Sequence, residues 1–126
     1  MPTILLVLLI TVLPSANLDK SSAPQVDRVE RLAKQLHIQG ELSGTWTIIV
    51  ADFPTYQRIA NEGGKLGANT AFTNQATKTT YISDDWLRWG VSDKELKFTL
   101  AHEAGHIICG CESEATADVI GHKLEQ

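Results

Sequence analysis

Two histidines and a glutamate near the C-terminus are the residues of this chain best suited to chemistry. The sequence H-E-A-G-H at residues 102–106 has the pattern H-E-x-x-H and lies within an apolar run, residues 100–108. Residues four apart share one face of an α-helix, so His102 and His106 can bind one metal ion. Glu103 lies beside them, where its carboxylate can reach a water on that ion as general base. Burying these polar side chains without a metal or partners would be costly, so the pattern predicts a metal site.

A catalytic zinc site needs a third protein ligand, and the residues after the motif offer several. Gly110 allows the chain to turn back, so that a following helix can lie against the metal helix. Glu114, Asp118 and His122 are spaced by four and share one face of that helix. One carboxylate could bind the ion, while a neighbour accepts the second ring N–H of a ligating histidine. The candidates for the third ligand are Glu112, Glu114, Asp118 and His122.

The sequence pattern predicts that the elements positioning this site form one small α+β domain. Its fold would combine a small mixed sheet, an amphipathic N-terminal helix, a central metal-binding helix and a C-terminal ligand helix. Ser92 with Glu95 forms a capping box that begins the metal helix, and Gly110 ends it. The other expected elements are a helix from Gln25 that ends by Gly40, a strand at 45–51, a helical turn at 56–60, a hairpin of strands 70–73 and 79–83, a short helix at 84–89 whose tryptophans cap the core, and a last helix at 112–124.

The N-terminus resembles a secretory signal. An apolar run of about 10 residues precedes Pro14-Ser15-Ala16, which is short of the ~20 residues that span a bilayer. No Lys or Arg precedes the run, so a retained hydrophobic tail is one alternative, and a buried strand or helix is another. We expect a signal or hydrophobic segment at 1–16, a linker at 17–23 and the domain at 24–126. The protein would then be exported, or tethered to a membrane by an uncleaved N-terminus.

Composition and cysteine spacing exclude some classes of function. The chain has 126 residues, is 43% hydrophobic and carries a net charge of -4, with its Lys and Arg scattered. That pattern gives no cluster of basic residues that would bind nucleic acid or an anionic membrane surface. Cys109 and Cys111 are separated by one residue, a spacing at which we expect a mutual disulfide to be strained. We therefore interpret them as small, partly buried apolar side chains.

The metal motifs resemble those of the gluzincin metallopeptidases, most closely the small catalytic domains of the HtpX-like and CAAX-prenyl-protease-type branch. That family pairs H-E-x-x-H with a downstream E-x-x-A-D, which residues 114–118 match position by position. The resemblance covers roughly residues 25 to 122 and implies that Glu114 is the third zinc ligand, with Asp118 supporting it. Members also carry an Asn-Ala-Phe edge strand that pairs with an extended substrate. Here the sequence is Asn69-Thr70-Ala71-Phe72, which departs from that pattern by the inserted threonine.

The resemblance implies a zinc-dependent endopeptidase that hydrolyses an extended polypeptide, with Glu103 as general base and Ala71 and Phe72 in the substrate-binding strand. His122 and Tyr81 are the candidates for a further donor to the oxyanion. Two alternatives stay open. One is a non-catalytic zinc-binding module with the same fold. The other is an intracellular regulatory protein that resembles a metallopeptidase.

Overall fold

The computed structural model describes residues 8–38, 42, 44–65 and 70–126. Residues 1–7 of the predicted signal, Gly40 and Asn69 lie outside the described residues. No helix within the described part is long and apolar enough to cross a membrane. In chain order, the described strands and helices are β1 (Leu8–Pro14), α1 (Ala23–Lys34), β2 (Gly44–Ala51), α2 (Phe53–Glu62), β3 (Ala71–Asn74), β4 (Thr79–Ser83), α3 (Asp84–Arg88), α4 (Asp93–Cys109) and α5 (Glu114–Leu124).

The strands form one mixed four-stranded sheet in the order β1-β2-β4-β3. β1 and β4 both pair with β2 in parallel, while β3 pairs with β4 in antiparallel fashion through the predicted hairpin. The β-branched and aromatic residues of β2 suit this central position, because its side chains meet neighbours on both faces. The α+β class with a small mixed sheet is therefore confirmed.

The described part of the N-terminal apolar run forms an edge strand of this sheet. β1 pairs with β2 along its whole length, from Leu8 opposite Gly44 to Pro14 opposite Val50. Its side chains alternate in the usual manner of a strand, so Ile10 and Val12 pack against the core while Leu9 and Leu13 are exposed. A strand, the alternative interpretation of this run, is thus what residues 8–14 form. The expected linker at 17–23 contains a 3₁₀ turn at Lys20–Ser22 and the first residue of α1. Cleavage of a signal after Ala16 stays a prediction.

Two apolar clusters hold the sheet between its helices. The larger lies on the face covered by α1 and α4 and includes Trp46, Ile48 and Leu100, which are fully buried. The smaller lies on the opposite face, where Tyr56 of α2 packs against Phe72 of β3. α4 therefore rests on the sheet through apolar contacts, and its site-bearing residues face the β3 side of the domain.

Local capping explains where α2 begins. The Asp52 side chain accepts a hydrogen bond from the Thr55 N–H, so α2 starts directly after β2 and is longer than the turn predicted there. The short α3 at Asp84–Arg88 agrees with expectation. Its tryptophans do not behave alike: Trp86 packs against the core, but Trp89 is 85% exposed. The prediction that both cap the core is wrong for Trp89, which follows the last residue of α3 and remains exposed to solvent.

Candidate metal centre

α4 carries the two histidines and Glu103 on a helix that is fixed at both ends. The Ser92 hydroxyl accepts a hydrogen bond from the Glu95 N–H at 3.1 Å, which confirms the predicted N-cap. Gly110 ends the helix in a left-handed conformation with φ +61°, which costs glycine little because it has no Cβ. The buried residues of this helix include Glu103 and His106, which are each only 5% exposed.

Two glycines allow α5 to lie unusually close to α4. A Cβ added to Gly105 would stand 2.5 Å from the Ala117 carbonyl oxygen of α5. A Cβ added to Gly121 would stand 3.1 Å from backbone atoms of Ala101 and His102. Each helix thus presents a glycine to the backbone of the other. This close approach brings the first two turns of α5, which carry Glu114 and Asp118, against the histidine face of α4.

Three potential ligand atoms converge between the two helices. One ring nitrogen of His102, one of His106 and a carboxylate oxygen of Glu114 all lie within 4.8 Å of one another. The two Nε2 atoms are 3.2 Å apart, and Glu114 places its oxygens 2.7 Å from His102 Nε2 and 3.2 Å from His106 Nε2. His102, His106 and Glu114 thus come together as the sequence predicts. Two imidazoles and one carboxylate are the ligand set of many catalytic zinc sites.

The second nitrogen of each histidine has its own partner, which decides where the lone pairs point. His106 Nδ1 lies 2.9 Å from the Cys111 carbonyl oxygen, which can only accept, so this nitrogen carries the proton. His102 Nδ1 lies 2.5 Å from Asp118 Oδ1, in the supporting position predicted for that carboxylate. In the neutral histidines both Nε2 lone pairs then face each other and Glu114. A cation between them would satisfy all three groups, so these residues fit a zinc ion.

The protonation of His102 is shifted by the same neighbours. Burial acts to lower its pKa, but nearby carboxylates, with Asp118 the strongest, outweigh this and raise the pKa above its usual value. A proton held by His102 would occupy the same lone pair as a metal ion. Protons and a cation would therefore compete at this position.

Glu103 lies at the end of a buried chain of hydrogen bonds. The Trp46 indole N–H can only donate, and it donates to Thr80 Oγ1 at 2.9 Å. Thr80 Oγ1 is 2.8 Å from Thr73 Oγ1, whose hydroxyl reaches Glu103 Oε2 at 3.5 Å. An ionised carboxylate can only accept, so the donors run in one direction from the indole to Glu103. Burial raises the pKa of Glu103, and the two histidines and the Thr73 hydroxyl only partly offset it.

The loop after α4 contacts the site through a backbone carbonyl group. The Cys111 carbonyl accepts hydrogen bonds from His106 Nδ1 and from Gln75 Nε2, the latter at 2.9 Å. Cys109 and Cys111 are linked by a disulfide, with Cα atoms 5.2 Å apart. The interpretation of the two cysteines as small, unpaired apolar side chains is therefore wrong. The chain turns at Gly110, which has a left-handed backbone, and the Cα separation lies within the ordinary range for a disulfide.

A cleft of about 720 Å³ opens in front of these groups, between α4, α5 and the outer strand β3. Ser83 N–H donates to the Thr70 carbonyl at 3.0 Å, which sets the alternation of the antiparallel ladder. Phe72 is two residues further on and bonds inward to β4, so Ala71 and Thr73 turn their N–H and C=O groups outward. Within the described residues, no other strand pairs with this edge.

The weaker candidates of the sequence analysis have mixed positions. Ala71 and Phe72 line the cleft, although the Phe72 ring is buried and stacks on Tyr81. Tyr81 lines a neighbouring cavity instead, on the α2 face of the sheet. His122 is exposed and packs against the Phe98 ring. The described structure thus gives neither oxyanion candidate a contact with the predicted metal ligands.

Glu112, another candidate for the third ligand, is occupied elsewhere. Its carboxylate lies 2.5 Å from Lys65 Nζ and accepts a hydrogen bond from Gln75 at 3.2 Å. The lysine contact, the largest cause, lowers the pKa of Glu112. This cluster closes the cleft beside the loop that follows α4.

Several residues of the site have no motif that would reveal them. Thr73 and Thr80 appear in the sequence only as strand residues, and Gly105 only as a variable position of the motif. The sequence offers one signal, which is that residues 105 and 121 are glycines. Glycines indicate close packing of two helices, but only once the helices are known to be neighbours. Comparison with known protein families, with curated proteins and with solved structures finds no match to this chain.

Proposed function

We propose that this protein is a zinc-dependent endopeptidase of the gluzincin type. The observation that carries the proposal is the convergence of His102, His106 and Glu114 beside the buried carboxylate of Glu103. An arrangement of three zinc-type ligands with an adjacent general base is the minimal equipment for hydrolysing an amide. The match of residues 114–118 to E-x-x-A-D supports the same proposal.

The residues would divide the work in the following manner. His102, His106 and Glu114 hold zinc, while Asp118 and the Cys111 carbonyl fix the two imidazole rings. Zinc, when bound, polarises a carbonyl and lowers the pKa of water toward ~7. A substrate in extended conformation would add its backbone to the outward-facing edge of β3. That pairing holds the scissile carbonyl in front of the histidines.

Glu103 is the proton carrier of this proposal. Its carboxylate takes a proton from the attacking water and returns it to the nitrogen of the leaving amine. Burial favours the protonated form that must exist between these two transfers, and the raised pKa of Glu103 fits that requirement. The Thr73 hydroxyl, 3.5 Å from Glu103 Oε2, helps to hold the carboxylate in place.

The test compares two Glu-to-Gln variants of the full chain in metal analysis and in cleavage of a peptide library. Glu103→Gln should retain zinc and lose cleavage by about 10²–10⁴-fold, because the proton carrier is removed while the ligands are kept. Glu95→Gln is the matched control, since this residue is exposed and lies on the same helix. It should cleave like the wild type.

Two results would contradict the proposal. Full cleavage by zinc-loaded Glu103→Gln would remove Glu103 from the mechanism. A wild-type protein that binds zinc tightly and cleaves no peptide would instead be a non-catalytic zinc module.

A further inference from the structure

Phe98 is an apolar side chain in a cleft that is otherwise mostly polar. It lines the same cleft as the histidines and is 36% exposed, whereas Phe72, the other aromatic residue among the described lining residues, is buried. Phe98, His102 and His106 are spaced by four, so Phe98 continues the ligand face of α4 toward its N-terminus. A single exposed apolar residue is ordinary on a protein surface. Its place in this cleft is what calls for an explanation.

The Phe98 ring is held by the neighbouring helix. The His122 ring of α5 packs against it, with centroids 5.6 Å apart and planes tilted by 57°. Gly121, the preceding residue, is one of the two glycines through which α5 meets the α4 backbone. The aromatic side chain therefore has a support that limits its motion, as suits a surface that binds a ligand in one orientation.

The position of Phe98 along the cleft follows from two contacts between β3 and α4. Thr73 contacts Glu103, and Gln75, just after β3, contacts the Cys111 carbonyl after α4. The strand and the helix therefore advance in the same direction. Phe98 must then lie toward the start of β3, where Ala71 offers only a methyl group opposite.

We propose that Phe98 and Ala71 form a subsite for a large apolar side chain of the substrate. The inference rests on the proposed function and names a substrate class for it. Four residues of α-helix rise about 6 Å, and an extended peptide advances about 3.3 Å per residue. Phe98 therefore meets the side chain about two residues from the scissile bond, on one side of it. Adjacent side chains of an extended peptide point to opposite faces, so the residues on either side of that position point away from the subsite.

The experiment is cleavage-site profiling of the full, zinc-loaded chain with a peptide library, followed by kinetics on matched peptides. The wild type should prefer an aromatic or large aliphatic residue at one position about two residues from the cut. Phe98→Ala should lower kcat/KM for those peptides by about 10- to 100-fold and barely affect peptides with alanine there. Phe98→Leu should keep part of the preference and shift it toward aliphatic residues, which provides a second test if the alanine variant folds poorly.

The control is Trp89→Ala, since Trp89 is an exposed aromatic residue outside the residues that line the cleft. It should leave the profile unchanged, and zinc content should be equal in all variants. A wild type that cleaves peptides without preference at that position would overturn this inference and leave the proposed function standing. The same holds if both Phe98 variants keep the wild-type profile. A zinc-loaded wild type that cleaves nothing would overturn both.

Discussion

Gly105 provides the sharpest test of how the candidate metal centre is held together. In Gly105→Ala the new Cβ would lie 2.5 Å from the Ala117 carbonyl oxygen and 3.1 Å from its Cα. Both atoms belong to backbone, so no side-chain rotation can relieve the overlap. α5 must move away by about 1 Å to restore ordinary van der Waals contact.

This displacement predicts separate effects on stability and on zinc binding. Overpacking costs about 1–3 kcal/mol in free energy of unfolding, and the better helix propensity of alanine returns up to about 1 kcal/mol. We expect a net loss of about 1–2 kcal/mol. Glu114 and Asp118 move with α5, whereas zinc–ligand distances tolerate only about 0.2 Å. Zinc affinity should therefore fall by about 10- to 100-fold, as it does when supporting contacts of a metal site are lost.

Competition with a chromophoric chelator measures the zinc affinity, and urea unfolding of the metal-free protein measures the stability. Ala104→Gly is the matched control, because it lowers helix propensity at the neighbouring buried position without pushing α5 away. It should lose comparable stability and keep its zinc affinity. Wild-type zinc affinity in Gly105→Ala would refute the reasoning that backbone contact between the helices sets the site.

Three further predictions concern the scaffold. Removal of residues 1–16 deletes β1 and exposes core residues of β2 and α1. Thermal unfolding should therefore shift to clearly lower temperature or lose its cooperativity. An unchanged melting temperature would contradict the role of β1. Reduction of Cys109–Cys111 should cost less than the roughly 2–4 kcal/mol of a typical disulfide in urea unfolding, because the loop that it closes is very short. Burial acts to raise the pKa of Asp52, but hydrogen bonds from Thr55 and Ser15 outweigh it, so the folded-state pKa lies below the ordinary value. The Asp52 contribution is then present above the unfolded-state pKa of about 3.9 and lost as pH falls through the folded-state pKa, so Asp52→Ala should be less stable than wild type at pH 7 and converge with it in strong acid.

The structural features that the sequence predicts correctly are those determined by interactions between residues close together in the chain. The Ser92 cap and the Gly110 turn fix both ends of α4 through interactions within a few residues, so the sequence shows them directly. The same is true of the β3–β4 hairpin, whose strands are separated by a short turn. The positions of Glu114 and Asp118 also follow from local rules, because helical spacing puts both on one face.

The parts that sequence reasoning left open or misjudged depend on partners outside the local sequence. Residues 8–14 form an apolar strand whose partner, β2, lies some thirty residues further along the chain. An apolar run gives the same local signal in a parallel strand as in a signal segment, so only the pairing distinguishes them. The Cys109–Cys111 disulfide likewise depends on the left-handed backbone of Gly110, which the spacing of two cysteines does not reveal.

Different residues therefore determine the ligand motif and the geometry of the candidate metal centre. The motif names the side chains, but backbone groups position several of them: the Cys111 carbonyl orients His106, and the absence of a Cβ at Gly105 decides how near α5 can come. A substitution that keeps every ligand can thus still displace Glu114 relative to the histidines. Because zinc sites demand short and specific distances, a chain with the complete motif but a larger residue at 105 would be expected to bind zinc weakly. In this fold, the small residue at 105 therefore helps to decide whether Glu114 can reach the two histidines.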